Sequence, residues 1–242
     1  MAFAVDSEIF FDICGANYEL RKKIDPYECQ IIDMLKEASG DKSILDIGCG
    51  NGLFVKMLLA ECPDISISVM DPSKYFLDQI QDPRIKKIHG KLPDQMGGLG
   101  KYDIICMRAV LHHLTSGTIG KSQELVEESL IAISKHLNPG GMVIVVDMFY
   151  DSYLYPAITR SVIFYLCKLQ NKVGFQILSK EFLLGLEVCF LTKDELKSLY
   201  CLGPYHLRSF DERDHDMPNN VKKHLLFLRE WGWGICMFGI DS

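Results

Sequence analysis

"ILDIGCGNG", residues Ile44 to Gly52, decides how the rest of the chain is read. An apolar run ends in an aspartate, and three glycines then alternate with other residues, which is how a loop lets its main chain come close to a ligand. The question is which ligand. A phosphate-gripping P-loop requires G-x-x-x-x-G-K-[ST], whereas Gly52 is followed by Leu53 and Phe54 with no lysine. A dinucleotide fingerprint, G-x-G-x-x-G, would put its third glycine at 53, but the glycines are 48, 50 and 52. What remains is D-x-G-x-G-x-G between an expected strand and an expected helix, followed by Asp71 at the end of the next apolar run. An ionised carboxylate accepts two hydroxyl hydrogen bonds at once, which suits a ribose diol. The ligand reads as a nucleoside without a phosphate.

Outward from this loop the chain alternates. Ile31, Ile32, Met34 and Leu35 form one face of a helix that Gly40 stops, and "SILDIG" follows as a strand. Phe54, Met57, Leu58 and Ala60 predict the next helix, and 65–71 the next strand. Helix 73–81, strand 85–89, strand 102–107, helix 122–137 and strand 142–149 continue the series. The strands are apolar on both faces, as in a parallel sheet covered by helices on both sides. Residues 148–191 then break the rhythm as an insertion, before Thr192 and Glu195 take the spacing of a capping box. A strand at 205–210, an amphipathic helix around 220–230 and a last strand at 231–240 complete the reading.

Composition sets the outer bounds. With 242 residues, 48% of them hydrophobic, the chain can bury a full core as one domain, 1–242. A formal net charge of −6 and the lack of a Lys/Arg block disfavour nucleic acid as a partner. Nine cysteines occur singly, without zinc spacing, and read as reduced thiols. Asp6, Glu8 and Asp12 interrupt any signal-peptide core, and no apolar run approaches the roughly 18 residues of a membrane span. A cytoplasmic protein without stable membrane insertion is expected.

"LDIGCGNG" with Asp71, "YDIICMRAVLHHL" and "LNPGGMVIVVD" together resemble the class I S-adenosylmethionine-dependent methyltransferases, well over residues 15–147 and in outline beyond. The resemblance implies a doubly wound α/β fold, a seven-stranded mostly parallel sheet of order 3-2-1-4-5-7-6 with strand 7 antiparallel, and S-adenosyl-L-methionine as cofactor. It implies that Gly48, Cys49 and Gly50 pass close to the methionine part, that Asp46 orders the turn, and that Asp71 takes the ribose hydroxyls. Pro72, Leu92 and Arg108 fall beside the cofactor, Arg108 either pairing with an acidic substrate or lying at the surface. Where many relatives carry Gly-Asp after the third strand, this chain has Gly90-Lys91, and an ammonium cannot accept the adenine amino group. Adenine is then held near Leu92 or by Asp94. "ANYELR" (16–21) resembles the family's N-terminal segment over the cofactor, so residues 1–26 are expected as a cap, with Arg21 at the cofactor carboxylate and Tyr18 stacking or packing.

A methyl sulfonium is already activated, so in-line transfer needs mainly orientation, on the order of 7–11 kcal/mol in favourable cases, and exclusion of water. His112 and His113 lie where the family faces its substrate. Each is a catalytic candidate or a scaffold imidazole bonded to main chain. The chain lacks an N/D-P-P-[YF] motif after the fourth strand, a pair of glutamates such as protein-arginine methylation uses, and an acidic cluster for a divalent metal, which leaves a small-molecule acceptor and no metal. Aromatics crowd 148–191, and Ile158, Val162, Tyr165 and Leu169 recur at helical spacing as a face for the core or a partner chain, which allows for a homodimer. The insertion is expected to act as a lid, with Tyr150 and Tyr153 lining an apolar acceptor pocket. Two other classes stay open: a protein that binds the cofactor without methyl transfer or uses it for another group transfer, and a nicotinamide-dependent oxidoreductase.

Overall fold

The computed structural model describes residues 10–12, 25–37, 41–176, 184–214, 224 and 226–241. In chain order these form α1 (Pro26–Glu37), β1 (Ser43–Ile47), α2 (Leu53–Glu61), β2 (Ser66–Asp71), α3 (Lys74–Asp78), β3 (Lys86–His89) and β4 (Tyr102–Arg108). A 3-10 turn (Leu111–His113) precedes α4 (Ile119–Ser134) and β5 (Leu137–Ser152). Then come α5 (Pro156–Val173), β6 (Leu191–Thr192), α6 (Lys193–Lys197), a second 3-10 turn (Leu199–Leu202), β7 (His206–Asp214) and β8 (Leu228–Gly239).

The strands form one sheet of order β3-β2-β1-β4-β5-β8-β7, with β6 pairing with β5 off that path. β8 runs antiparallel to β5 and β7, and the other pairs are parallel. This is the expected order with one strand added. β5 runs on past the end of β4, and its residues Phe149 and Tyr150 pair with Leu191 and Thr192 of the short β6. The numbering of the last two strands shifts by one for that reason.

Alternation along each strand explains the layers. Ile44, Val69, Ile104, Cys106, Ile144 and Ile235 point to the face covered by α1 and α2, where Tyr27, Ile31, Leu35, Phe54 and Leu58 are buried. Leu45, Met70, Ile105, Met107, Val143 and Cys236 point the other way, onto Val126, Leu130 and Ile133 of α4 and Leu196 of α6.

Of the two partners expected for the Ile158–Leu169 face, the core is not the one it meets. Ile158, Tyr165 and Leu169 are exposed, Tyr165 at 56%. The buried face of α5 instead carries Thr159, Arg160, Ile163, Phe164, Cys167, Gln170 and Asn171. Helical period alone cannot tell which of two stripes is inward when the inward one contains polar groups with partners. Here Asn171 donates to Leu186 O at 3.1 Å and accepts from Gly185 N at 2.7 Å, tying the returning segment to the helix. Ile163 and Cys167 pack with Tyr150, Val188, Phe190 and Trp231 over the protruding ends of β5 and β8. The helix expected around 220–230 is corrected at its end, since residues 228–230 already belong to β8; 215–223 and 225 lie outside the described residues.

The capping box forms as expected: Thr192 Oγ1 accepts from Glu195 N at 3.1 Å and Glu195 Oε2 accepts from Thr192 N at 2.8 Å. Glu195 also pairs with the buried Arg160, so this cap joins α6 to α5. Thr192→Ala should cost about 0.5–2 kcal/mol of folding free energy, read as a lower urea midpoint at unchanged slope. Glu195→Ala should cost more, because it strands a buried guanidinium as well.

Candidate functional site

One cavity of about 560 Å³ opens at the carboxyl ends of the parallel strands, where ligands of open α/β sheets bind. Its wall follows the sheet order. Lys91, Leu92 and Asp94 come from beyond β3, Asp71 and Pro72 from β2, and Gly48, Cys49 and Gly50 from beyond β1. Arg108, His112 and His113 come from β4 and its 3-10 turn, and Met148 from β5. Phe11, Leu186, Val188 and Phe190 close it from the N-terminal segment and the insertion.

The glycine turn works by left-handed backbone. Gly48, Gly50 and Gly52 have φ of 70°, 53° and 72°. A Cβ on Gly48 would lie 2.4 Å from Val110 Cγ2, whereas one on Gly50 would meet nothing within 4 Å. Gly48 is thus required by the fold, and Gly50 leaves its space to the cavity. Ala109, also in the wall, holds φ of 57° without being glycine, a local strain of the kind that gathers at functional sites.

Asp71 stands in the cavity wall at the end of β2. Its Oδ2 accepts from Gly50 N at 2.9 Å and its Oδ1 from Ser73 N at 2.9 Å, so the carboxylate is fixed by two main-chain donors. Burial pushes its pKa up to about 6, against the pull of those two hydrogen bonds. Ser73 caps α3, its Oγ accepting from Phe76 N. Ser73 Oγ also donates to Asp12 at 2.7 Å, which pins the N-terminal segment beside Asp71.

Asp46 and Arg108 are corrected. Asp46 is fully buried, and its carboxylate accepts from Arg108 Nη2 at 2.8 Å and Nε at 3.3 Å rather than ordering the turn. Arg108 also pairs with Glu28 of α1 and lies over the Phe54 ring at 4.1 Å. Burial opposes its charge, but Asp46 and Glu28 raise its pKa further. Its Nε, Nη1 and Nη2 each donate to one of these two carboxylates. Burial raises Asp46 itself above the usual carboxylate range, in spite of Arg108.

His112 and His113 are neighbours with different surroundings. His112 Nδ1 lies 2.5 Å from Asp147 Oδ1, and its ring stacks on Phe190 with centroids 5.1 Å apart. His113 packs edge-on against Phe11 at 5.9 Å. Its Nδ1 is buried without a hydrogen-bond partner, and burial together with His112 lowers its pKa well below 6.5.

Tyr150 and Tyr153 are not in the cavity wall. Tyr150 is wholly buried in the packing beneath α5 and donates to Pro156 O at 2.8 Å, while Tyr153 is 59% exposed. The apolar wall is built instead by Leu186, Val188 and Phe190 of the returning segment, within the stretch 148–191. Tyr18 and Arg21 lie outside the described residues. Glu28 and Asp147 were missed. Asp147 ends "LNPGGMVIVVD", but only the fold shows that it faces His112. Among the described residues no group of three or more His, Cys, Asp or Glu could hold a metal ion, and no helix is long and apolar enough to cross a membrane. The described cysteines are free thiols.

Comparison with known proteins places this geometry. A family model described as a methyltransferase domain matches residues 45–143. The chain is 29% identical over 120 residues to a tRNA U34 carboxymethyltransferase of Aliivibrio salmonicida, covering 46% of this chain and 33% of that protein. It is 26% identical over 151 residues to a malonyl-[acyl-carrier protein] O-methyltransferase of Halalkalibacterium halodurans, covering 57% and 52%. The chain therefore spans about half or less of the length of these curated relatives. Among solved structures, an S-adenosylmethionine-dependent methyltransferase of Geobacter sulfurreducens in complex with S-adenosyl-L-homocysteine superposes with a TM-score of 0.57 at 16% identity, over 98% of this chain and 99% of that one. The chain shares the fold of that methyltransferase, and a methyltransferase-domain model matches its residues 45–143.

The two loop glycines separate folding from ligand space. Gly50→Ala should cost only the roughly 1–2 kcal/mol of a left-handed alanine. Gly48→Ala should cost clearly more, because it adds the overlap with Val110. Equal denaturation midpoints for the two variants would contradict the assignment.

Proposed function

We propose that this chain is an S-adenosylmethionine-dependent methyltransferase acting on a small, largely apolar acceptor. The observation that carries the reading is the cavity's division. Asp71 and the Gly48–Gly50 turn line it on the β2–β1 side, while Phe11, Leu186, Val188 and Phe190 close it where the two histidines stand. When bound, the donor supplies a methyl group on a sulfonium, already activated for displacement. Asp71 holds the ribose hydroxyls, Gly48, Cys49 and Gly50 give the methionine part close passage, and Pro72, Leu92 and Asp94 flank the adenine. The fit rests on the open space over Gly50 and on a buried carboxylate whose two oxygens each still have lone-pair capacity after one main-chain bond.

The N-terminal segment and the insertion together form the lid in this reading. Phe10 packs against Gly185, and Asp12 reaches Ser73 and Tyr75, so the two pieces meet over the cavity. They exclude water from the transfer. His112 or His113 contacts the acceptor.

A second reading, an RNA acceptor, is favoured by the match to tRNA U34 carboxymethyltransferases. The net charge of −6 weighs against it. With methyl-labelled donor, a metabolite extract and bulk tRNA offered side by side, the label should enter the solvent-extractable fraction; label in tRNA would establish the RNA reading instead. Val188→Arg should lower that transfer by about 10²-fold with S-adenosylhomocysteine affinity nearly unchanged.

Asp71→Ala should weaken S-adenosylhomocysteine by about 1.5–3 kcal/mol in calorimetry. Because Asp71 titrates at about 6, wild-type affinity should also fall as the pH drops below 6, and the alanine variant should lose that dependence. In the ligand-free protein the sign is reversed. A raised carboxylate pKa favours folding fully below about pH 3.9, and that contribution is lost as the pH rises through 6.

A further inference from the structure

We infer that Asp147 and His112 form a proton-accepting pair, and that the acceptor they serve is a hydroxyl group. The inference rests on the methyltransferase reading and narrows its substrate.

Asp147 is buried at the outer part of β5 and is held rigidly. Its Oδ2 accepts from Leu111 N at 2.7 Å, and its Oδ1 accepts from Met148 N at 2.7 Å as well as facing His112 Nδ1 at 2.5 Å. A carboxylate only accepts, so Nδ1 must carry the proton. The lone pair of neutral His112 is then on Nε2, to which no side chain among the described residues bonds, and His112 lines the cavity. A carboxylate on Nδ1 sets both the tautomer and the ring orientation. It also stabilises the imidazolium that forms when Nε2 takes a proton. His113 has no such partner, its Nδ1 being buried and unbonded. His113 comes from the same turn, and Cys189, whose main-chain N–H donates to His112 O at 2.8 Å, comes from the returning segment. Burial pushes the Cys189 thiol up to about 11, so it stays neutral. Asp147 is the charge that His112 faces.

A base is useful only to an acceptor that arrives protonated. As a hydroxyl oxygen bonds to the methyl carbon, the carbon–sulfur bond breaks and its electron pair stays on sulfur, giving a neutral thioether. The hydroxyl proton passes to His112 Nε2, and the imidazolium beside Asp147 returns it to solvent after the products leave. A carboxylate acceptor needs no base and would need a cation. The cations in the wall are Lys91, beyond β3 at the far side of the sheet order, and Arg108, already held by Asp46 and Glu28. The wall on the His112 side is Phe11, Leu186, Val188 and Phe190, which suits a hydroxyl on an apolar body.

The test reads the imidazole directly. In protein saturated with S-adenosylhomocysteine at pH 8, nitrogen-15 shifts of His112 should show Nδ1 protonated and Nε2 free. Asp147→Ala, which takes the acceptor away from Nδ1, should let both neutral tautomers populate. Transfer to three probes of like body, 4-propylphenol, 4-propylbenzoate and 4-propylbenzylamine, should favour the phenol. Asp147→Asn and His112→Gln should each slow transfer to the phenol about 10²–10⁴-fold, with S-adenosylhomocysteine affinity within about threefold. Retained affinity shows that the variants fold. A protonated Nε2 in the wild type, faster transfer to the carboxylate or the amine, or transfer to none of the three overturns the inference and leaves the methyltransferase reading standing. Absence of S-adenosylhomocysteine binding overturns both.

Discussion

Arg108 bridging Glu28 and Asp46 is the interaction on which the site's geometry depends. Both carboxylates and the guanidinium are buried, and each belongs to a different element: α1, β1 and β4. Removing one partner of such a cluster leaves an uncompensated buried charge, so the three must come together if any is to be accommodated. Phe54 of α2 stacks under the guanidinium and adds a fourth element. The bridge therefore locks the carboxyl ends of β1 and β4 to the helices on one face. From those two ends spring the glycine turn and the histidine turn.

Everything above this floor is loop, and its backbone is unusual in places. Gly48, Gly50 and Gly52 take left-handed angles in succession, and Ala109 does so without being glycine. Such angles cost free energy locally and persist only where the surroundings over-determine them. Here the surroundings are strand ladders: Gly48 N donates to Met70 O at 2.7 Å and Ala109 N to Val146 O at 2.7 Å. The neighbouring strands thus hold the strained residues in place, and the cavity acquires a wall made of main chain rather than of flexible side chains.

The insertion solves a separate problem, which is how to close such a cavity with apolar groups. β5 and β8 project beyond β4, giving α5 a ledge to pack on. Asn171 on the buried side of α5 then fixes the segment that returns as Leu186, Val188 and Phe190. A polar residue inside the packing is stabilised because both ends of its amide find main-chain partners. Its cost is an inward face that does not look apolar, and the outward stripe of Ile158, Tyr165 and Leu169 looks more like the core than the core does.

The sequence by itself determined the doubly wound sheet, because strands apolar on both faces can be buried only between two helical layers. It determined the glycine turn and the acid that ends β2, Asp71, as well, since a left-handed turn and a carboxylate closing an apolar strand leave local marks in residue type and spacing. The capping box at Thr192 and Glu195 was legible for the same reason: all its partners lie within one turn. What only the tertiary structure decided involves groups distant in sequence. Asp46 pairs with Arg108 across 62 positions and His112 with Asp147 across 35, and neither spacing carries a periodic signal. The same holds for the cavity wall. Tyr150 is drawn beneath α5 and Phe190 into the site, because β5 outruns β4 and gives the helix somewhere to sit.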